Sequence, residues 1–178
     1  MKFNSNTLIA LAALVVSVCA LFISVQEARI MRTQQRVSIY PHLEAGVFYN
    51  AEGFGLRVVN GGVGLAKIES IQVYEGERYF NNFLEVVDHL MVDSHSINYN
   101  ILEVQELSES VLPAGERVQM FRLPWTKETR ILSNRIGRIN YRVHYCSLLE
   151  DCWEINSSTN RPIPLGKLPA IDPSKEFH

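Results

Sequence analysis

From Leu8 to Val25 the chain runs through 18 consecutive uncharged and almost wholly apolar residues, LIALAALVVSVCALFISV. A helix rises 1.5 Å per residue, so this run nearly crosses a hydrocarbon core of about 30 Å, and polar neighbours on either side extend it. Residues 7–26 are therefore expected in a lipid bilayer as an uncleaved single-pass helix. Two other readings compete for the same segment. A cleaved signal peptide has an apolar region of only about 7–15 residues, and here Val18-Cys19-Ala20 continues directly into Leu-Phe-Ile. A lipoprotein signal on Cys19 would require a small residue where Val18 stands. Beyond Val25, QEARIMRTQQR contains good helix formers and neither Gly nor Pro, so the helix is expected to continue as a stalk to about Arg36.

After residue 36 the period changes. Residues 37–49 read as an extended lead-in, with Pro41 at an edge or strand start. A turn at 50–53 precedes a strand with Phe54, Leu56 and Val58 on one face. Gly61, Gly62 and Gly64 form a loop before a second strand, 65–74. There Ile71 and Val73 break the alternation set by Ala66 and Ile68, which signals a bulge or burial on both faces. Over 79–92 the residues Phe80, Phe83, Leu84, Val87, Leu90 and Met91 recur at helical spacing. Strands are expected again at 97–107, 117–123 and 138–145, with a short helix at 125–136 capped by Thr126. Cys152–Asn156 answers the strand before it as a hairpin. Pro162, Pro164, Pro169 and Pro173 argue against regular structure near the end.

Short strands every 8–15 residues predict a mainly β fold: an immunoglobulin-like antiparallel β-sandwich with one or two helical insertions, behind an N-terminal transmembrane helix. The expected division is 1–36 for helix and stalk, 37–160 for the sandwich, and 161–178 for an extended Pro-rich tail.

Charge narrows the partners. The chain has 17 Lys and Arg against 19 Asp and Glu; from residue 37 onward the balance is 13 against 18. An acidic domain lacks the footprint for phosphate neutralisation, so no nucleic acid is expected. Lys and Arg near the helix, Arg29, Arg32 and Arg36 after it against Lys2 before it, favour a cytoplasmic C-terminal part. The cysteines point the other way. Cys146 and Cys152 flank a five-residue loop between paired strands and are candidates for a disulfide in an oxidising compartment. Two reduced thiols are the alternative, and a metal site would need further ligands. Asp88, His89, Asp93 and His95 gather near a helix end, where His89 suits the helix dipole better than a metal. The three loop glycines precede a strand, not a helix, and so suit a turn better than a phosphate cradle. No nucleophile motif or carboxylate pair stands out, and no cofactor or metal is expected. Trp125 and Trp153 are aromatics of a core, an edge or a binding face.

Three stretches carry a resemblance. Gln35, Ser38, Pro41 and Leu43; then Asn60, Gly62, Gly64, Ala66 and Ile68; then Tyr145, Ser147 and Trp153 resemble a pattern in uncharacterised bacterial single-pass membrane proteins with an N-terminal helix and a β-domain. Leu65 departs from that pattern, which often has Pro there. The resemblance implies architecture and a bacterial inner membrane, and no activity. The expectation is thus a non-enzymatic binding or complex-forming module with a protein partner, its soluble part on the periplasmic side, or else the cytoplasmic side. The alternative function is an accessory sensor or effector responding to a small ligand or to envelope or phage stress.

Overall fold

The computed structural model describes residues 5–91, 98–105, 107, 108 and 110–178. Two compact units divide at residue 38. The first is a single helix, α1 (Ser5–Ser38). Its 34 residues extend about 51 Å at 1.5 Å each. Three hydroxyls bond back to the helix itself: that of Ser17 donates to the Ala13 carbonyl, that of Thr33 to Arg29 and that of Ser38 to Gln35. The leucines, valines and isoleucines of 8–25 are all exposed, so this part of the helix is apolar all round. It is long and apolar enough to cross a membrane, a property shared with signal sequences. Helix ends where Pro41, two residues past Ile39, would block its continuation. The expected stalk boundary at Arg36 lies two residues short.

The second unit, 39–178, contains two antiparallel sheets. In chain order its elements are β1 (Leu43–Tyr49), β2 (Gly53–Asn60), β3 (Ala66–Glu75), β4 (Arg78–Phe80), α2 (Phe83–Leu90), β5 (Glu103–Val104), β6 (Val111–Leu112), β7 (Arg117–Pro124), α3 (Lys127–Arg135), β8 (Asn140–Cys146), β9 (Cys152–Asn156) and β10 (Ile163–Leu165). One sheet runs β1-β2-β7-β5; the other runs β10-β9-β8-β3-β4, with β6 also on β3. Their inner faces share one core that includes Leu43, Phe54, Ile68, Val73, Tyr145 and Ile155. Over the whole chain helix and strand are of similar extent, because α1 is so long.

Each sheet holds one register shift, and both shifts decide which side chains face inward. On β3 the pairing steps from Ile68↔Tyr145 to Ser70↔His144, leaving Glu69 extra. Before the bulge Ala66 and Ile68 enter the core; after it Ile71 and Val73 do, and Ser70 and Gln72 turn to the opposite face. On β7 the extra residue is Met120, so Met120 and Phe121 are buried in succession.

Several expectations change. The helix expected over 79–92 begins at Phe83. Gly76, at φ +60°, allows a two-residue turn that folds Arg78–Phe80 back on Val73–Glu75, so Phe80 is a strand residue. Asn82 then caps α2 by accepting from the Glu85 N–H at 3.0 Å, and Val86, not the half-exposed Leu84, joins the buried stripe. The strand expected at 97–107 contracts to Glu103–Val104, where the sheet has an exposed edge. Residues 97 and 106 lie outside the described residues. Thr126 caps α3 as expected, in a reciprocal box with Thr129.

The Pro-rich segment 161–178 is not structureless. Pro164 sits in β10, an edge strand, where a missing N–H is tolerated. The chain then runs from the β10 edge to the far side of β3. Asp172 caps a single 3-10 turn at 173–175, and the Phe177 N–H donates to the Ile71 carbonyl at 2.9 Å. Phe177 is 4 % exposed and meets Phe83 edge to face at 4.7 Å.

Candidate functional site: the open edge of β1

Backbone groups of an antiparallel strand alternate, so every second residue of an edge strand turns its N–H and C=O away from the sheet. On β1 these are Leu43, Ala45, Val47 and Tyr49. Side chains meet the N–H of Leu43 and both groups of Ala45. The Leu43 N–H reaches the Tyr145 hydroxyl at 3.4 Å. The Ala45 N–H donates to Asn160 Oδ1 at 3.1 Å, and its carbonyl accepts from the Tyr141 hydroxyl at 2.5 Å. Burial pushes both tyrosine pKa values up, which keeps the hydroxyls protonated. At Val47 and Tyr49 the outward groups meet no hydrogen-bonding partner among the described residues.

Val47 and Tyr49 lie on the same face of β1 as the buried Leu43 and Ala45, yet they are 37 % and 59 % exposed. The opposite sheet does not reach them, because β9 ends at Asn156 and the chain turns away through Ser157–Asn160. A slot of about 250 Å³ opens there. Val47 and Leu56 form one wall, Val73 and Tyr141 the other, and Ile136 and Ile139 close the side towards α3. Gly46 and Gly137 stand at the slot, where an added Cβ at either would meet nothing within 4 Å.

Aromatic side chains mark one end of the open edge. Tyr49 stacks on Trp125 at 6.4 Å, Trp125 on Phe54 at 5.4 Å, and the Arg130 guanidinium lies 5.2 Å over the Trp125 ring. The Trp125 indole N–H donates to the Asn50 carbonyl at 2.8 Å, which fixes the ring. Tyr, Trp and Arg are the residue types that dominate binding hot spots.

The outward face of the other sheet carries a separate polar network. The Ser70 hydroxyl lies 2.9 Å from His144 Nδ1, and His144 Nε2 lies 3.2 Å from Glu154 Oε2. With Nε2–H donating to Glu154, Nδ1 accepts from Ser70. Arg142 donates to Gln72 Oε1 at 3.2 Å, and its Nε stands 3.4 Å from Glu154 Oε1, an ion pair without hydrogen-bond geometry. The order Ser–His–Glu imitates a nucleophilic relay, but Ser70 and His144 are buried and Ser70 has no exposed surface. The network clamps three strands.

Burial is the main influence on His144 and lowers its pKa below 6.5; Glu154 opposes this and Arg142 adds to it. The unfolded chain therefore takes up this proton at higher pH than the folded chain. The histidine's contribution to stability is complete above pH 6.5 and declines as pH falls below it. Thermal melting should drop between pH 7.5 and 5.5, and His144→Gln should flatten that slope. An unchanged slope in the variant would assign it to other groups.

The remaining sequence-predicted residues find structural places. Cys146 and Cys152 face each other across β8 and β9 and form a disulfide, with S–S 2.04 Å. Beside it lies a shallow groove of about 500 Å³ bounded by Lys67, Glu69 and Leu165–Leu168. Cys19 is a free thiol on α1. His89 pairs with Glu75, which also binds Arg138 at 2.7 Å; the contact with His89 holds the Glu75 carboxyl below its ordinary pKa. Asp93 and His95 lie outside the described residues. Among the described residues no three His, Cys, Asp or Glu side chains gather as metal ligands. Trp153 packs between Tyr40 and Tyr145, at 5.1 and 5.6 Å.

The loop glycines serve close approach. The Val63 and Gly64 N–H groups donate to the Tyr40 carbonyl, and the Gly61 N–H to His42. A Cβ on Gly64 would fall 1.8 Å from the Ile39 carbonyl oxygen, and one on Gly62 would fall 2.4 Å from the His42 nitrogen. Fully buried Asn60 ties this clasp together. Its Oδ1 accepts from the His42 and Gly62 N–H groups, and its Nδ2 donates to the Gly64 and Leu112 carbonyls at 2.7 and 3.0 Å.

The open β1 edge was not anticipated from sequence. The available signal was Val47 and Tyr49, apolar residues in phase with Leu43 and Ala45, followed by the turn at 50–53. Taken together, the features define a two-sheet β unit with an incompletely covered edge strand beside an apolar slot. In comparison with known proteins, no family model, no curated protein and no solved structure matches the chain.

Proposed function

We propose that the protein is a membrane-anchored, non-enzymatic binding module that engages a protein partner at the open edge of β1. In this reading α1 anchors the chain in a bacterial inner membrane, and residues 39–178 form a mainly β, immunoglobulin-like sandwich. The Cys146–Cys152 disulfide favours placing that part on the periplasmic side. The enclosed Ser70 hydroxyl argues against a hydrolytic role. The observation that carries the reading is the pair of unpartnered residues, Val47 and Tyr49, beside an apolar slot. Sheet edges of this kind accept strands from other chains. At about 250 Å³ the slot is smaller than the roughly 300–1,000 Å³ of ordinary ligand pockets, which favours a partner's side chain over a free small ligand.

The test is site-specific photocrosslinking in a bacterial host. A benzophenone side chain at position 47 should yield a discrete crosslinked protein species. The same probe at Val104, on the opposite edge of this sheet, should not. Identical patterns from the two positions would refute the reading.

A further inference from the structure

We propose that the segment docking on β1 is an extended strand of a protein partner carrying one large apolar side chain flanked by acidic residues. The inference rests on the reading of β1 as a docking edge and adds the chemistry of its occupant.

The backbone sets the length. Hydrogen bonds to an incoming strand are available at Val47 and Tyr49. Towards Leu43 the edge is already closed by Asn160 and Tyr141 at Ala45, and the Trp125–Tyr49 stack marks the other end. The window therefore suits about three or four residues in extended conformation, at roughly 3.4 Å per residue. Side chains of such a strand alternate in direction, so its central residue can enter the slot while its neighbours turn to solvent. A half-open slot of about 250 Å³ with Val, Leu and Ile walls fits one Leu- or Phe-sized group.

Charge sets the flanks. The unit is acidic, with 13 basic and 18 acidic residues from position 37 onward, yet residues 127–138 carry four basic residues against one acidic. These are Lys127, Arg130, Arg135 and Arg138 against Glu128. This segment, α3 and the turn after it, borders the slot through Ile136 and Gly137. Arg130 sits over Trp125 at the end of the edge, and Arg138 lies between the slot residues Gly137 and Ile139. Arg138 is paired with Glu75 and Arg135 donates to the Leu90 carbonyl, which leaves Lys127 and Arg130, against Glu128, to set the sign at the Trp125 end of the edge. A basic end of the edge on an otherwise acidic unit attracts an acidic flank and repels a basic one.

The test uses the full chain in detergent micelles and two synthetic peptides. Both alternate Thr and Val about a central Leu; one carries two Glu at each end, the other two Lys. Binding is read by fluorescence anisotropy of the labelled peptide. The Glu peptide should bind at least about tenfold more tightly, weaken as salt rises to 0.5 M, and lose its advantage in the Lys127→Glu, Arg130→Glu double variant. Val47→Pro should abolish binding, since it removes an outward N–H without breaking a bond to β2. Near-UV circular dichroism confirms that each variant is folded. Equal binding of the two peptides, or preference for the Lys peptide, would overturn the acidic occupant while leaving the docking edge intact. Binding unaffected by Val47→Pro in a folded variant would place the peptide elsewhere and overturn the proposal. Loss of the position-47 crosslink in cells would instead overturn the underlying reading of the edge.

Discussion

Asn60→Ala should destabilise the protein by about 3–5 kcal/mol, among the largest effects of any single substitution. The side chain makes four hydrogen bonds from a fully buried position. Its removal strands two N–H groups, of His42 and Gly62, and two carbonyls, of Gly64 and Leu112. Each buried polar group left unpaired costs about 1–3 kcal/mol, and partial access of water at His42 and Gly62 reduces the total. Asn60→Asp should not rescue: it keeps the acceptor, loses both donated bonds and buries a charge. Gly64→Ala should be comparably harmful for a different reason, since its Cβ would overlap the backbone of Ile39 at 1.8 Å and no side-chain movement relieves that. Urea unfolding of the detergent-solubilised full chain, followed by tryptophan fluorescence, measures all three. A loss under 1 kcal/mol for Asn60→Ala would mean that the clasp is dispensable.

Phe177→Ala should cost about 3–4 kcal/mol, the range for removing a buried aromatic ring from a core that cannot fully collapse. The ring lies against Phe83, which in turn contacts Phe121 at 4.3 Å, so the vacancy would open beside the centre of the core. Phe177→Leu should lose less than half as much. Lys175→Ala, removing only a cation 5.0 Å over the Tyr79 ring, should change stability by less than about 1 kcal/mol. The same unfolding measurement separates these outcomes: a Phe177→Ala loss no larger than that of Lys175→Ala would show that the segment after β10 merely rests on the surface.

The strands around Phe54–Val58 and Tyr141–Tyr145 were legible because apolar residues alternate along them, although both also bury residues of the other face, His144 among them. Ile71 and Val73 falling out of phase with Ala66 and Ile68 signalled a bulge or burial on both faces, and β3 has both. The Thr126 cap was legible because it is local. The β3–β4 hairpin was missed because Phe80 falls in phase with the helical stripe of Phe83, Val87 and Leu90. The Pro-rich segment was misjudged for a related reason. Proline excludes helix interiors and central strands, but it leaves an edge strand and a capped 3-10 turn available, and only the gap in β3 beside Ile71 determines where Phe177 goes.

By itself, then, the sequence determined the apolar helix, the positions of most core strands, the acidic character of the second unit and the basic character of residues 127–138. These follow from periodicity, local caps and counting, which need no knowledge of distant neighbours. Tertiary structure alone decided that the loop glycines and Asn60 clasp residues 39–42, that Ser70 and His144 meet on an enclosed face, and that Val47 and Tyr49 stay uncovered. The last point has the plainest cause. Whether an apolar strand residue is buried depends on how far the opposite sheet extends, and β9 stops at Asn156, before it can cover them.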